Sequence, residues 1–134
     1  MVILPIVHAM VICDGVYQET TTGKCTVLGT FSDISSRVFP VIHPVMFVFV
    51  QMTDIQGQVP IRLRMVRVVP QAPGEVEEFR TPDVVVTVPS PLEVVEISIR
   101  LSGVRFDQPG EYRIQLVVRG HTAHERKLTV RQVP

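Results

Sequence analysis

The sequence predicts an all-β protein, a single antiparallel sandwich of two sheets and about eight strands, on three observations. Valine is about one residue in five, and β-branched side chains suit a pleated sheet better than a helix. Eleven prolines cut the chain into short runs. Those runs show either alternation or short solid apolar blocks, and none sustains the 3.6-residue period of a helix. The chain has 134 residues, 46% of them hydrophobic and 19% charged, which is enough to bury one core without disulfide or metal. Residues 1–134 are therefore expected to form one domain with no disulfide.

The first strand is expected at 6–17, where Val7, Ala9 and Val11 are apolar in one phase and Met10 and Ile12 in the other. A hairpin turning at Thr20-Thr21-Thr22-Gly23 leads to a second strand at 24–34, pairing Cys13 near Thr30 and Cys25 near Gln18. That register holds the two thiols apart. It makes them small half-buried hydrophobes, which are common as free cysteines.

RVFPVIHP is expected to be a connection, and the third strand to run over 44–53. Its centre, VMFVFV, is apolar on both faces, although a two-layer sandwich buries only one. The bulkier set, Val45, Phe47 and Phe49, is expected to fill the core. Met46, Val48 and Val50, extended by Met10 and Ile12, would then form an outward interaction face.

The fourth strand, 59–69, alternates Ile61, Leu63 and Met65 with Arg62 and Arg64, then changes phase at Val66 and Val68. This suggests a bulge near Met65. Arg62, Arg64 and Arg67 are expected on a solvated face opposing Glu93 and Glu96. No aromatics are interleaved with them, as a single-strand nucleic-acid platform would require. VPQAPGEVEEFRTP, proline-rich and acidic, is expected to be a mobile loop that could fold over the apolar face.

A strand at 83–89 precedes one at 93–102. There Val95, Ile97, Ile99 and Leu101 alternate with Glu96, Ser98 and Arg100, giving one buried and one wet face before Ser102-Gly103 ends it. After Pro109-Gly110, the strand at 110–119 turns Tyr112, Ile114, Leu116 and Val118 inward. A last strand at 123–131 is expected to follow a three-residue loop, Gly120-His121-Thr122, pairing Ile114 with Leu128 and Tyr112 with Val130. A two-residue loop would set charges against the apolar phase.

Leu101, Val104, Asp107, Gly110, Tyr112 and Ile114 resemble the end of strand E and the start of strand F in immunoglobulin-like domains. In those domains a tyrosine hydroxyl bonds back to the corner backbone. The resemblance implies a structural corner at Gly110 and Tyr112. Ile114 stands where those domains carry a cysteine, which implies a disulfide-free relative. Cys13, Asp14, Gly23, Lys24, Leu28, Gly29, Phe31 and Pro40, with the PGEY turn and ERKLTV, resemble a second group, an uncharacterised family of small bacterial β-sandwich proteins. That resemblance implies a fold and no chemistry.

Lys plus Arg equals Asp plus Glu at 13 each, so no net field draws the chain to nucleic acid or an anionic membrane. MVILPIVHAMVIC lacks a basic leader and a cleavage pattern, and a cytoplasmic setting is expected. His121 and His124 are weak metal candidates, because histidines three apart on a strand point to opposite faces; solvated hairpin-tip histidines are the plainer expectation. His8 and His43 are expected to be partly buried, and Asp14 to cap nearby backbone. No nucleophile elbow or phosphate-cradling glycine loop is present.

The function expected is a non-enzymatic binding or assembly module, docking a protein partner or itself as a homo-oligomer, without cofactor, nucleic acid or membrane. A small-ligand or metal-dependent enzyme with a loop-assembled site is the alternative. An exported adhesion-type domain is the third.

Overall fold

A computed structural model describes residues 3–71 and 74–134 as an all-β sandwich. Ten strands follow in order: β1 (Ile6–Gln18), β2 (Cys25–Thr30), β3 (Asp33–Ser36), β4 (Val41–Thr53), β5 (Gly57–Val68), β6 (Glu75–Arg80), β7 (Val84–Val88), β8 (Val95–Phe106), β9 (Gly110–Val118) and β10 (His121–Gln132). One sheet has the order β2-β1-β4-β8. The other has the order β3-β10-β9-β5-β6, with β7 also pairing with β5.

Two of these strands have no counterpart in the eight expected. The run 24–34 divides because the chain changes sheets within it: the Phe31 amide still donates to Ile12 O at 3.1 Å, while Ser32 O accepts from the Thr129 amide at 2.9 Å. Having crossed, β3 runs parallel to β10, the one departure from antiparallel pairing among the described residues. The acidic segment expected to be a loop forms β6 on the edge of β5, in the sheet opposite the one that carries VMFVFV, and its Phe79 packs against the shared core. Ala72 and Pro73, within the same stretch, lie outside the described residues. Glutamate is a poor strand former, but here Glu77 and Glu78 meet Arg64 and Arg67 at 2.7 and 2.9 Å.

Strand ends also move. VIHP belongs to β4, and β8 continues past Ser102-Gly103 to Phe106. Gly103, at φ 63°, lets β8 change phase in mid-strand, so that Leu101, Val104 and Phe106 are all buried.

The phase of β4 is the opposite of that expected. Met46, Val48 and Val50 are fully buried, and with Met10 and Ile12 they form the core side of the four-stranded sheet. Bulk did not decide the matter; the neighbours did. Met46, Val48 and Val50 lie opposite Leu101, Ile99 and Ile97, the apolar phase of β8, and Met10 and Ile12 lie opposite Val50 and Val48. Phe47 and Phe49 share the outer side with Arg100 and Ser98. Facing this layer are Ile61, Leu63, Met65, Ile114, Leu116, Val118 and Leu128, all essentially inaccessible to water.

The β1–β2 register pairs Cys13 with Thr30 and Cys25 with Gln18, as expected, and both cysteines are free. The β9–β10 hairpin differs. Val118 pairs with His121 across a two-residue turn in which Arg119 and Gly120 have φ of 51° and 79°. The extra residue is absorbed as a bulge between Thr122 and His124, which sets Leu128 opposite Tyr112 and Arg126 opposite Ile114. Arg126 lies beyond the part of β10 that β3 covers and stays exposed, so a charge in this phase meets water.

Candidate functional site

The corner after β8 is built as its residues suggest. Tyr112 donates its hydroxyl to Gln108 O at 2.6 Å, and its ring meets Phe106 edge-on at 5.0 Å and 82°. Burial, followed by the charge of Glu78, pushes the Tyr112 phenol up from its ordinary value. Gly110 opens β9 at φ 156°, opposite Val130. This is a structural joint, since both partners are occupied with each other.

The outer face of the six-stranded sheet is a polar lattice. Arg64 reaches Glu77 at 2.7 Å and Gln115 Oε1 at 2.8 Å; the Gln115 amide donates to Glu125 at 3.2 Å; Arg113 joins Glu125 at 3.0 Å and Glu111 at 3.1 Å. Gln115 is buried beneath these charges. Hydrogen bonds from Arg80 and Arg113 hold the Glu77 and Glu111 carboxyls, respectively, below the usual range. The arginine stripe is therefore matched by Asp83, Glu75, Glu77 and Glu78. Glu93 and Glu96, its expected partners, lie beside and within β8 of the other sheet, because the neighbours of β5 are β6, β7 and β9. The bulge expected in β5 near Met65 falls in β6 instead, where Glu78 is the extra residue beside Met65 and Val66; β5 keeps step with β9 from Ile61–Val118 to Arg67–Tyr112, so Arg67 lies in the phase of Met65 and Tyr112 rather than that of Arg62 and Arg64.

The outer face of the four-stranded sheet has the opposite character. Cys13, Val11 and Ala9 from β1 lie beside Phe47, Phe49 and Gln51 from β4. Tyr17 and Leu28 are more than half exposed at one margin, and Ile6 at another. Phe49 and Cys13 are covered by their neighbours, whereas Val11, Val45 and Phe47 are half-buried. Burial is the first cause raising the Cys13 thiol, whose Sγ lies 3.6 Å from Phe47 O.

A third feature is the rim where β8 ends the four-stranded sheet. β7 and β6, in the other sheet, face it across two open clefts of about 380 and 430 Å³. The smaller is walled by Val84 and Val86 on one side and by Ile97 and Ile99 on the other.

The remaining candidates do not converge. His121 and His124 are exposed on either side of the β10 bulge, and no group of three or more metal-ligating side chains occurs among the described residues. His43 is half-buried and stacks on Phe31 at 5.4 Å between centroids. His8 is exposed, contrary to expectation, because it is the extra residue of a bulge between Val7 and Ala9; its Nε2 lies 2.7 Å from Thr53 Oγ1. Asp14 sits within β1 rather than at a turn. It faces Gly29, where its carboxylate fills the space a Cβ would need.

A family model described as "Family of unknown function (DUF6941)" matches residues 8–131. No curated protein matches. Among solved structures, the alkylpurine DNA glycosylase AlkC of Pseudomonas fluorescens, bound to DNA containing an abasic site analog, aligns with a TM-score of 0.50 at 9% identity, over 91% of this chain and 30% of that one. A β-glucosidase from Listeria innocua aligns at 0.45 and 13% identity over 77% and 15%, and a mutant of it with laminaribiose at 0.46 and 10% over 94% and 16%. The chain thus spans less than a third of the length of these structures, and the likeness concerns the fold alone.

Proposed function

Since the chain belongs to the family of unknown function DUF6941, we propose its role from its own surfaces: a non-enzymatic module that docks another protein through the outer face of its four-stranded sheet. The observation that carries this is the contrast between the two outer faces. One is a lattice of matched charges, whereas the other presents Val11, Val45 and Phe47, flanked by Tyr17 and Leu28. Apolar side chains grouped on one face, here bordered by Arg100, Ser98 and the Gln51–Glu96 pair, mark interaction sites more often than scattered ones do. Each such side chain contributes about 1.5–3 kcal/mol when fully buried, and association costs ~4–15 kcal/mol in lost freedom. Val11, Val45 and Phe47 therefore need Tyr17, Leu28 and Ile6 beside them to sustain a complex.

An immunoglobulin-like architecture is part of this reading. It is supported by the order β1, β4, β8 in one sheet and β10, β9, β5 in the other, and by a tyrosine bonded back four residues at the corner. A reducing, cytoplasmic setting is supported by two free thiols held apart by their register.

Two charge insertions test the docking face. Phe47→Glu places a carboxylate on the outer side and is expected to leave a cooperatively folding protein that recovers fewer partners from its native cells. Val48→Lys places an unpaired charge in the core and is expected to unfold the chain. A folded Phe47→Glu protein with undiminished partner recovery would overturn the proposal. So would a Phe47→Glu protein as unfolded as Val48→Lys, since the face would then be internal.

A further inference from the structure

We propose that β8 is the acceptor edge for an extended peptide, which joins the four-stranded sheet as a fifth strand and fills the cleft facing β6 and β7. The edge and its cleft meet the outer face described above only at Glu96 and Arg100, and the inference does not depend on the docking proposed there.

The two sheets do not match in width. β7 pairs with β5, so the six-stranded sheet extends over a place where the four-stranded sheet has nothing beyond β8. Val84 and Val86 of β7 share the inward phase of Ile61 and Val59, and Phe79 of β6 shares that of Met65. They point inward with no strand opposite them: Val84 is 57% exposed, and Val86 and Phe79 are only partly buried. Across the gap, Ile97 and Ile99 are likewise only partly buried although they lie in the core phase of β8. Facing sheets pack about 10 Å apart, which leaves room for one layer of strand side chains.

The rim is open along residues 95–101, its left-handed Gly103 lying beyond that stretch. β8 is twelve residues long and its interior carries no proline. Exposed edges are ordinarily short, bulged or studded with charge to prevent pairing. β2, the other edge of the same sheet, is six residues long and has Gly29 at φ 65°. A second whole copy fits the gap poorly, since its own six-stranded sheet would have to share the space occupied by β6 and β7. A single extended segment brings no second layer. Main-chain bonds to such an edge supply affinity, and alternate side chains supply specificity.

The recognised chemistry is readable from β8. Val95, Ile97, Ile99 and Leu101 demand aliphatic side chains at alternate positions of the partner. Glu96 and Arg100, on the outer face, demand a basic and an acidic residue at the intervening ones. An antiparallel segment with the pattern of β8 itself meets both demands: centred on Ser98, it sets acid against Arg100, base against Glu96 and isoleucine against isoleucine. Centring one residue either way leaves the charges unmatched, and centring two away sets like against like.

A synthetic peptide, VEISIRL, tests this on the full chain. It is expected to bind one to one and to slow amide exchange in β8 while leaving the opposite edge, β2, unchanged. Arg100→Glu is expected to weaken binding by about three- to tenfold, the range of a cross-strand pair turned repulsive. The peptide VRISIRL is expected to bind the Arg100→Glu protein better than the wild type. Tyr17→Glu, which charges the margin of the outer face on β1 with β4 between it and β8, is expected to leave peptide binding unchanged, which separates failure of this inference from failure of the docking face. No binding at millimolar peptide, binding without β8 protection, or indifference to Arg100→Glu would overturn it. So would β8 protection that grows with protein concentration alone, which would make a second copy the occupant.

Discussion

Replacing Tyr112 by Phe removes one oxygen from the best-defined joint in the molecule and little else. The ring keeps its edge contact with Phe106, and the residue's 1% exposure means that no apolar surface is gained or lost. What disappears is the 2.6 Å bond to Gln108 O. A buried hydrogen bond contributes about 0.5–1.5 kcal/mol net, and abandoning a partner in the interior costs about 1–3 kcal/mol. Gln108 is an exposed residue, so water can take up part of its carbonyl's need. The expected loss is ~1–2 kcal/mol. With a urea slope of about 2 kcal/mol/M, the middle of the usual range for small domains, the midpoint should fall by roughly 0.5–1 M. The phenol also couples the joint to pH. Its folded value lies above the ordinary 10.0, so the native state retains a proton that the unfolded chain releases. Its contribution is complete below pH 10.0 and fades as pH rises from there through the folded value. Wild type and variant should therefore converge in stability in alkali. Equal urea midpoints at neutral pH, or a gap that stays constant above pH 10.0, would refute the role assigned to the hydroxyl.

Two smaller outcomes are expected from the β1–β2 hairpin. The Glu19 carboxylate accepts from the Thr22 hydroxyl and from the amides of Thr22 and Thr21, which lowers it to about 2 from 4.5; its support of the turn should persist above pH 4.5 and vanish as pH falls toward 2, and a carboxyl NMR titration with a midpoint near 4.5 would contradict this. Cys25 is half-buried and Cys13 fully buried with a raised thiol, so alkylation of the native protein should label Cys25 first and Cys13 only on unfolding, as read by mass spectrometry. Without reductant both should be alkylated under denaturing conditions.

Strand content was legible because its causes are local. β-branched residues, alternation in β8 and β9, and turn residues at Thr20–Gly23 and Pro109-Gly110 act through neighbours in the chain. The Cys13–Thr30 register followed from turn length alone. The β9–β10 register did not, because Arg119 takes a left-handed φ that its side chain gives no sign of, while a bulge at Ala123 replaces a longer loop. The outward phase of β4 was misassigned for a related reason. Val45–Val50 is apolar in both phases, so its own residues cannot say which points inward.

The sequence by itself thus determined an all-β sandwich, its free and separated cysteines, and the corner at Tyr112. Only the tertiary structure decided that Met46, Val48 and Val50 are core, that Glu75–Arg80 is a strand, and that β8 has no neighbour on one side among the described residues. Alternation carries a strand's period but not its partner. Which face is buried, which charges meet and which edge stays open depend on contacts between residues far apart in the chain, such as Phe47 with Arg100 and Arg64 with Gln115.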